Sequence, residues 1–207
     1  MGAELDEPRR GRPTTAQREE RRRRMLDRSL QIFLERGYQG STLEELARAS
    51  GVTKRTIYTD YGDKEGLFAA MVESLAGGIS HEPGTDGETL QALSARIVFR
   101  IHSDELVGLH RLVIAESPRF PELARTFHAQ TDVRHISALR AYLVRQYGED
   151  AARLASALFS LLLGERHRQR LLGVRSAATQ DEAERIAAEA IAQLGFASGE
   201  AAAPPAD

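Results

Sequence analysis

The sequence contains no cysteine and no tryptophan in 207 residues, and aromatic residues make up only 6% of it. Without cysteine there is no disulfide, no thiolate metal site and no thiol chemistry, a profile that suits a cytoplasmic protein. Seven prolines and few β-branched runs argue against a sheet protein, while abundant Ala, Leu, Arg and Glu favour helix. No apolar run approaches the ~20 residues that span a bilayer. The opening MGAELDEPRRGRPTT lacks the apolar core of a secretory leader. Neither a membrane partner nor export is therefore expected.

The motifs of catalysis are missing too. The chain has no Gly-rich phosphate loop, no nucleophile elbow and no H-E-x-x-H pair. Its six histidines are scattered, without the spacing of metal ligands. The expectation is a protein that is not an enzyme and carries no cofactor and no metal.

What is present is helix, with a lopsided charge. The net charge of −2 conceals a split: residues 9–64 hold 14 Lys/Arg against 8 Asp/Glu, and the remainder holds 14 against 22. A basic end on an acidic body suits a protein that presents one end to a polyanion. Residues 1–13 read as a flexible arm in which Arg9, Arg10 and Arg12 sit in an RRGRP context. Its RGRP core is similar to the AT-hook peptide, which implies minor-groove contact; an arm without contacts is the alternative. Thr14 or Thr15 is expected to cap a first helix that runs to about Arg36 and stops at Gly37, with Leu26, Leu30, Phe33 and Ile32 as its apolar stripe.

Ser41 to Phe68, STLEELARASGVTKRTIYTDYGDKEGLF, then reads as three short helices. Thr42 with Glu45 forms a capping box for a helix from Leu43, and Ser50-Gly51 turns the chain. Thr53 caps a second helix, Gly62 ends it, and Asp63 caps a third carrying Leu67, Phe68, Met71 and Val72. Helix, glycine turn, helix is the arrangement of the helix-turn-helix DNA reader. In such a reader Thr53, Lys54, Arg55 and Thr56 occupy the first turn of the recognition helix, where side chains reach base edges. Arg55 is the candidate base reader, because a guanidinium can bond guanine O6 and N7 together. Thr42 stands at a helix start that favours a phosphate.

GVTKRTIYTDYGDKEGLF strongly resembles the signature of the TetR family of bacterial repressors, through Gly51, Tyr58, Tyr61, Lys64, Glu65, Leu67 and Phe68. The resemblance implies that Tyr58 and Lys64 touch phosphates. Thr59-Asp60 departs from the polar or basic pair usual before the aromatic, so Asp60 is expected to face away from DNA. The fold it implies is all-α: an amino-terminal helix-turn-helix DNA-binding domain over residues 14–78, then a helical ligand-binding and dimerisation domain over 79–196. LVIAESPRFPELARTFHAQ resembles the AefR-like subgroup of TetR regulatory domains.

Residues 77–88 read as a loop. From Glu88 the pattern is helical, with stripes Leu90-Leu93-Ile97-Ile101 and Leu106-Leu109-Leu112-Val113-Ile114. Ser103 is the expected cap of the second, and Pro118 and Pro121 break the chain before a helix carrying Leu123, Phe127, Leu139 and Tyr142. The family implies a small-molecule pocket, for which the polar candidates on these helices are His102, His110, Arg111, Glu116, His128 and Tyr142. Two last helices carry Leu154, Leu158, Leu161 and Leu162, then Ile186, Ala190, Ile191 and Leu194. The first is apolar on nearly all sides, so the pair is expected to form a four-helix interface with a second copy. Residues 197–207 read as a disordered tail.

These expectations combine into a homodimeric, ligand-responsive transcriptional regulator, most simply a repressor, on a palindromic double-stranded DNA operator. The helix begun at Asp63 is expected to carry the ligand's effect to the reader. A DNA-binding architectural protein that answers to no ligand is the alternative.

Overall fold

A computed structural model describes residues 14–77 and 88–196, and every regular element in them is helical. The expected basic arm, residues 78–87 of the expected loop and the tail lie outside the described residues, and Arg9, Arg10 and Arg12 with them.

Helix α1 spans Thr15–Gly40. Thr14 caps it through a reciprocal box with Gln17. Gly37, at φ 75°, breaks the helical run before its last turn, as expected from a residue tolerant of positive φ. Helices α2 (Leu43–Ser50), α3 (Lys54–Tyr61) and α4 (Lys64–Gly77) follow. The expected caps are in place: Thr42 with Glu45, Thr53 on the Thr56 amide, and Asp63 on the Gly66 amide. Gly51, at φ 65°, makes the turn between α2 and α3.

Helix α5 (Leu90–Ile101) starts from Thr89, and α6 (Asp104–Glu116) starts from Ser103. Pro121 opens α7 (Pro121–His128), a position where its missing N–H costs nothing. A π-helical turn, Ala129–Val133, joins α7 directly to α8 (Arg134–Tyr147). The helix carrying LFSLLL differs from expectation. Residues Glu149–Leu154 form a 3₁₀ turn, and α9 (Ala155–Leu171) is broken at Gly164, where φ is 53° and ψ −171°. Helix α10 (Gln180–Gln193) closes the fold from a Thr179–Glu182 capping box.

One apolar core runs from α1 to α10. At its middle, Phe33 and Tyr38 of α1 stack at 5.6 Å, and Phe68 of α4 meets both edge-on at 5.8 and 5.7 Å. Phe120, just before α7, meets Tyr38 at 5.0 Å. Helix α6 lies close on α1: a Cβ on Gly108 would stand 3.1 Å from a Leu34 methyl. The first four helices and the later six thus share a core.

The last helices spend their apolar residues at home. Leu158, Leu162, Ala190 and Ile191 are at most 2% exposed, sealed in the core of the chain itself, so they have no surface to offer a second copy. The expectation that they form a dimer interface is corrected on that ground. The outer side of α9 carries small residues, Ser156, Ala157 and Ser160, which makes it less apolar than the LFSLLL run implies. Leu154, Leu161, Ile186 and Leu194 are half-buried and keep part of their surface available.

Candidate nucleic-acid interface and sensor region

The α2–α3 hairpin is held from beneath by Leu46, Ala47 and Ile57, all buried. With those three anchored, the start of α3 faces outward. Thr53 accepts from the Thr56 amide at 3.1 Å, and the two hydroxyls lie 2.9 Å apart. Lys54 is exposed and paired with Glu44 of α2. That contact holds Lys54 above its ordinary pKa and Glu44 below its own. Arg55 is exposed and has no polar partner among the described residues. Tyr58 is 52% exposed. Arg55 and Tyr58 therefore stand outward as a guanidinium and a phenol, the chemistry that base edges and phosphates accept.

Two neighbours are more committed. Thr42 accepts from the Glu45 amide, and Glu45 accepts from the Thr42 amide at 3.1 Å. These bonds hold the Glu45 carboxyl below its usual range and occupy part of the helix start. Lys64 sends its ammonium into the turn after Gly37, donating to the carbonyls of Tyr38 at 2.8 Å and Ser41 at 3.0 Å. It also rests over the Tyr38 ring at 4.3 Å. Burial pushes its pKa down, and the Glu116 carboxylate opposes that. Lys64 thus fixes the turn that leads into Thr42, a role its spacing did not reveal.

Asp60 lines a cleft of about 870 Å³ between α1 and the α3–α4 pair, opposite Arg18 and Arg22.

The polar candidates of the later helices go to different places. Glu116 accepts from the Gln39 amide at 3.2 Å, and Arg119 donates to the Gln39 side chain at 2.7 Å. Both therefore grip the α1–α2 turn from the far side. Arg111 donates to the carbonyls of Leu171 and Arg170, pinning the end of α9. His128 is exposed and pairs with Asp132 at 3.1 Å. Tyr142 is buried against α5, near the Leu90 backbone.

His102 and His110 do come together, through a residue the sequence did not single out. His167 of α9 meets His110 Nδ1 at 3.1 Å, and its ring lies 5.6 Å from that of His102. Burial lowers the pKa of both His102 and His167 to about 4. His135 is buried beside Phe159, and burial lowers its pKa to about 4 as well. No pattern in the sequence marks His167, because its neighbours belong to α5 and α6. No group of three His, Cys, Asp or Glu among the described residues has an arrangement that could hold a metal ion. No helix of the described residues is long and apolar enough to cross a membrane.

Comparison with known proteins bears on both halves. Residues 25–71 match the bacterial regulatory proteins of the tetR family, and residues 88–194 match the AefR-like transcriptional repressor carboxy-terminal domain. The chain is 28% identical over 117 residues to the uncharacterized HTH-type transcriptional regulator YezE of Bacillus subtilis (strain 168), over 52% of this chain. The match spans 60% of that relative's length. A crystal structure of a TetR-family transcriptional regulator from Mesorhizobium loti MAFF303099 superposes with a TM-score of 0.64 at 27% identity, over 87% of this chain and 96% of that one. The flavonoid-responsive regulator FrrA superposes with a TM-score of 0.66 at 22% identity, over 84% of this chain and 95% of that one, a likeness of fold. The matched families and relatives are DNA-binding regulators, not enzymes. With its helix-turn-helix reader and helical body, and with its AefR-like match over half of its length, the chain belongs to the TetR family of transcriptional regulators.

Proposed function

We propose that the protein is a homodimeric repressor whose residues 14–78 hold a palindromic operator and whose residues 79–196 release it when a small molecule binds. Two copies of α3 in successive major grooves, roughly 34–36 Å apart, read the two half-sites. Arg55 reads a base, with Thr53, Lys54 and Thr56 beside it, while Thr42 and Tyr58 position the backbone. Lys64 acts by holding the turn, so its effect on DNA is indirect. Leu154, Leu161, Ile186 and Leu194 are the side chains of the last helices with surface left for a second copy. FrrA is described as flavonoid-responsive, and an effector of the present chain fits that precedent.

The observation that carries the reading is the double grip on the α1–α2 turn. Lys64 holds the Tyr38 and Ser41 carbonyls from the reader side, while Glu116, Arg119 and Phe120 hold Gln39 and Tyr38 from the sensor side. A shift at the end of α6 therefore reaches Thr42 within a few residues, in addition to any movement of α4. A ligand that binds the two arrangements unequally, by about 1–3 kcal/mol, changes operator affinity by the same amount.

The test starts by selecting bound fragments from random DNA, then measuring operator affinity by fluorescence anisotropy with fractions of a bacterial extract. One fraction is expected to weaken binding. Glu116→Ala is expected to keep operator affinity within a few-fold and to blunt that release. An affinity indifferent to every fraction, equal for scrambled and palindromic duplexes and steeply salt-dependent, would instead give the ligand-independent architectural protein.

A further inference from the structure

A carboxylate stands beside the recognition helix, where repulsion from phosphates gives it least reason to be. Glu44, in the first turn of α2, reaches across the hairpin to Lys54, the first residue of α3. The cap of α2 does not need it, because Thr42 closes its reciprocal box with Glu45. Both side chains of the pair are exposed, Glu44 at 63% and Lys54 at 44%, and an exposed ion pair adds little to stability. The pair also works against DNA binding twice. It engages a lysine charge within the protein, and it sets a negative charge near the phosphates. A contact to a base would offset both.

The identity of that base follows from the pair. An ionised carboxylate only accepts and an ammonium only donates. In the major groove the base-edge donors are cytosine N4 and adenine N6. Guanine O6 lies beside cytosine N4 in a G·C pair, and the two are hydrogen-bonded to each other at about 2.9 Å. The Lys54 ammonium and the Glu44 carboxylate are likewise a hydrogen-bonded donor and acceptor. The pair can therefore lie along that edge, donor against O6 and acceptor against N4. Each member has capacity left, since the ammonium carries three donors and the carboxylate about four lone-pair sites. A T·A pair offers acceptor and donor in the same order, but a methyl group stands beside thymine O4 where guanine has a second acceptor, N7. G·C is the better match for an ammonium.

We propose that Glu44 and Lys54 act as one unit that reads a G·C pair in each half-site, Lys54 donating to guanine and Glu44 accepting from cytosine N4. The inference rests on the reading of α3 in the major groove and adds a specificity residue from α2. Arg55, the next residue of α3, then reads a different base pair.

Selection from randomised DNA tests this on the full chain and on Glu44→Ala, Lys54→Ala and Arg55→Ala, with circular dichroism to check that each variant folds. Glu44→Ala and Lys54→Ala are expected to relax the same G·C position, and Arg55→Ala another. Competition anisotropy then uses the selected duplex with N4-methylcytosine at that position, which replaces the groove-side hydrogen that Glu44 accepts. The methyl group is expected to weaken the unaltered protein about tenfold and Glu44→Ala no more than about twofold. An equal gain in affinity of Glu44→Ala for all duplexes would reduce the carboxylate to a repulsive charge, and overturns the proposal. So does an unchanged selection pattern in Glu44→Ala, or a methyl penalty that persists without the carboxylate. If any of these comes with a palindromic selected site that Arg55→Ala relaxes, the operator reading survives. If the unaltered protein selects no sequence at all, both readings fall.

Discussion

Residues 14–77 contain no histidine, whereas residues 88–196 contain five of the six. The contrast extends to several buried polar side chains, although Thr131 and Arg170 of the later half are paired. In the reader, Ser29 and Ser41 bond the Met25 and Tyr38 carbonyls at 2.9 Å each. Every buried side-chain nitrogen or oxygen left unpaired among the described residues lies in the later half, on Gln91, Ser94, His102, His135, Arg166 and His167. A reader must present one shape to DNA, and complete internal pairing fixes that shape. Internal pairing is thus more complete in residues 14–77 than in residues 88–196, although the two share one core.

The largest expected effect tests whether the sharing is real. Phe68→Ala removes a ring that touches both Phe33 and Tyr38, and is expected to cost about 3–5 kcal/mol. Urea unfolding followed by circular dichroism should keep a single transition; two separated transitions would mean that the halves fold independently. Acid should then separate the halves chemically. His102, His135 and His167 have folded-state pKa values near 4 against an ordinary 6.5. The unfolded chain therefore binds more protons between these values, and stability present above pH 6.5 is lost as pH falls toward 4. Hydrogen exchange near pH 5 should show α5, α6 and α9 losing protection before α2 and α3. Uniform loss across both would contradict the division.

Smaller effects sharpen the reader itself. Arg55→Ala should reduce discrimination between operator and scrambled duplex by about 1–3 kcal/mol, seen in competition anisotropy, with Tm unchanged. A uniform loss on all duplexes would make Arg55 a phosphate contact. Thr53→Ala removes the cap of α3 and should lower stability by about 1 kcal/mol, read from the urea midpoint. An unchanged midpoint would show that packing of Ile57 alone holds the recognition helix.

The reader was legible because its instructions are local. Thr42, Thr53, Asp63, Gly51 and Gly62 each act within four residues, so caps and turns can be read along the chain. The same holds for Ser103, which starts α6 where the sequence places it. The sensor was legible only in outline. Gly164 and the π turn at Ala129–Val133 interrupt helical runs that the residues alone read as continuous. His167 gains its meaning from His102 and His110, more than fifty residues away in the chain. The apolar run in α9 was misleading for the opposite reason. It announced burial correctly, but the burial is within the chain itself, and its outward positions are Ser156, Ala157 and Ser160. Glu116 looked like a pocket residue on its helix, and only the approach of α1 shows what it holds.

The shared grip on the α1–α2 turn sets the size of the piece that can be exchanged between proteins of this architecture. A chimera cut between α4 and α5 carries Tyr38 and Gln39 into a foreign body without Phe120, Glu116 or Arg119 to meet them. The transplantable reader is therefore discontinuous: residues 14–77 together with 116–120. A graft that respects this seam should inherit the new host's responsiveness along with the old operator, whereas a graft that ignores it carries DNA binding alone.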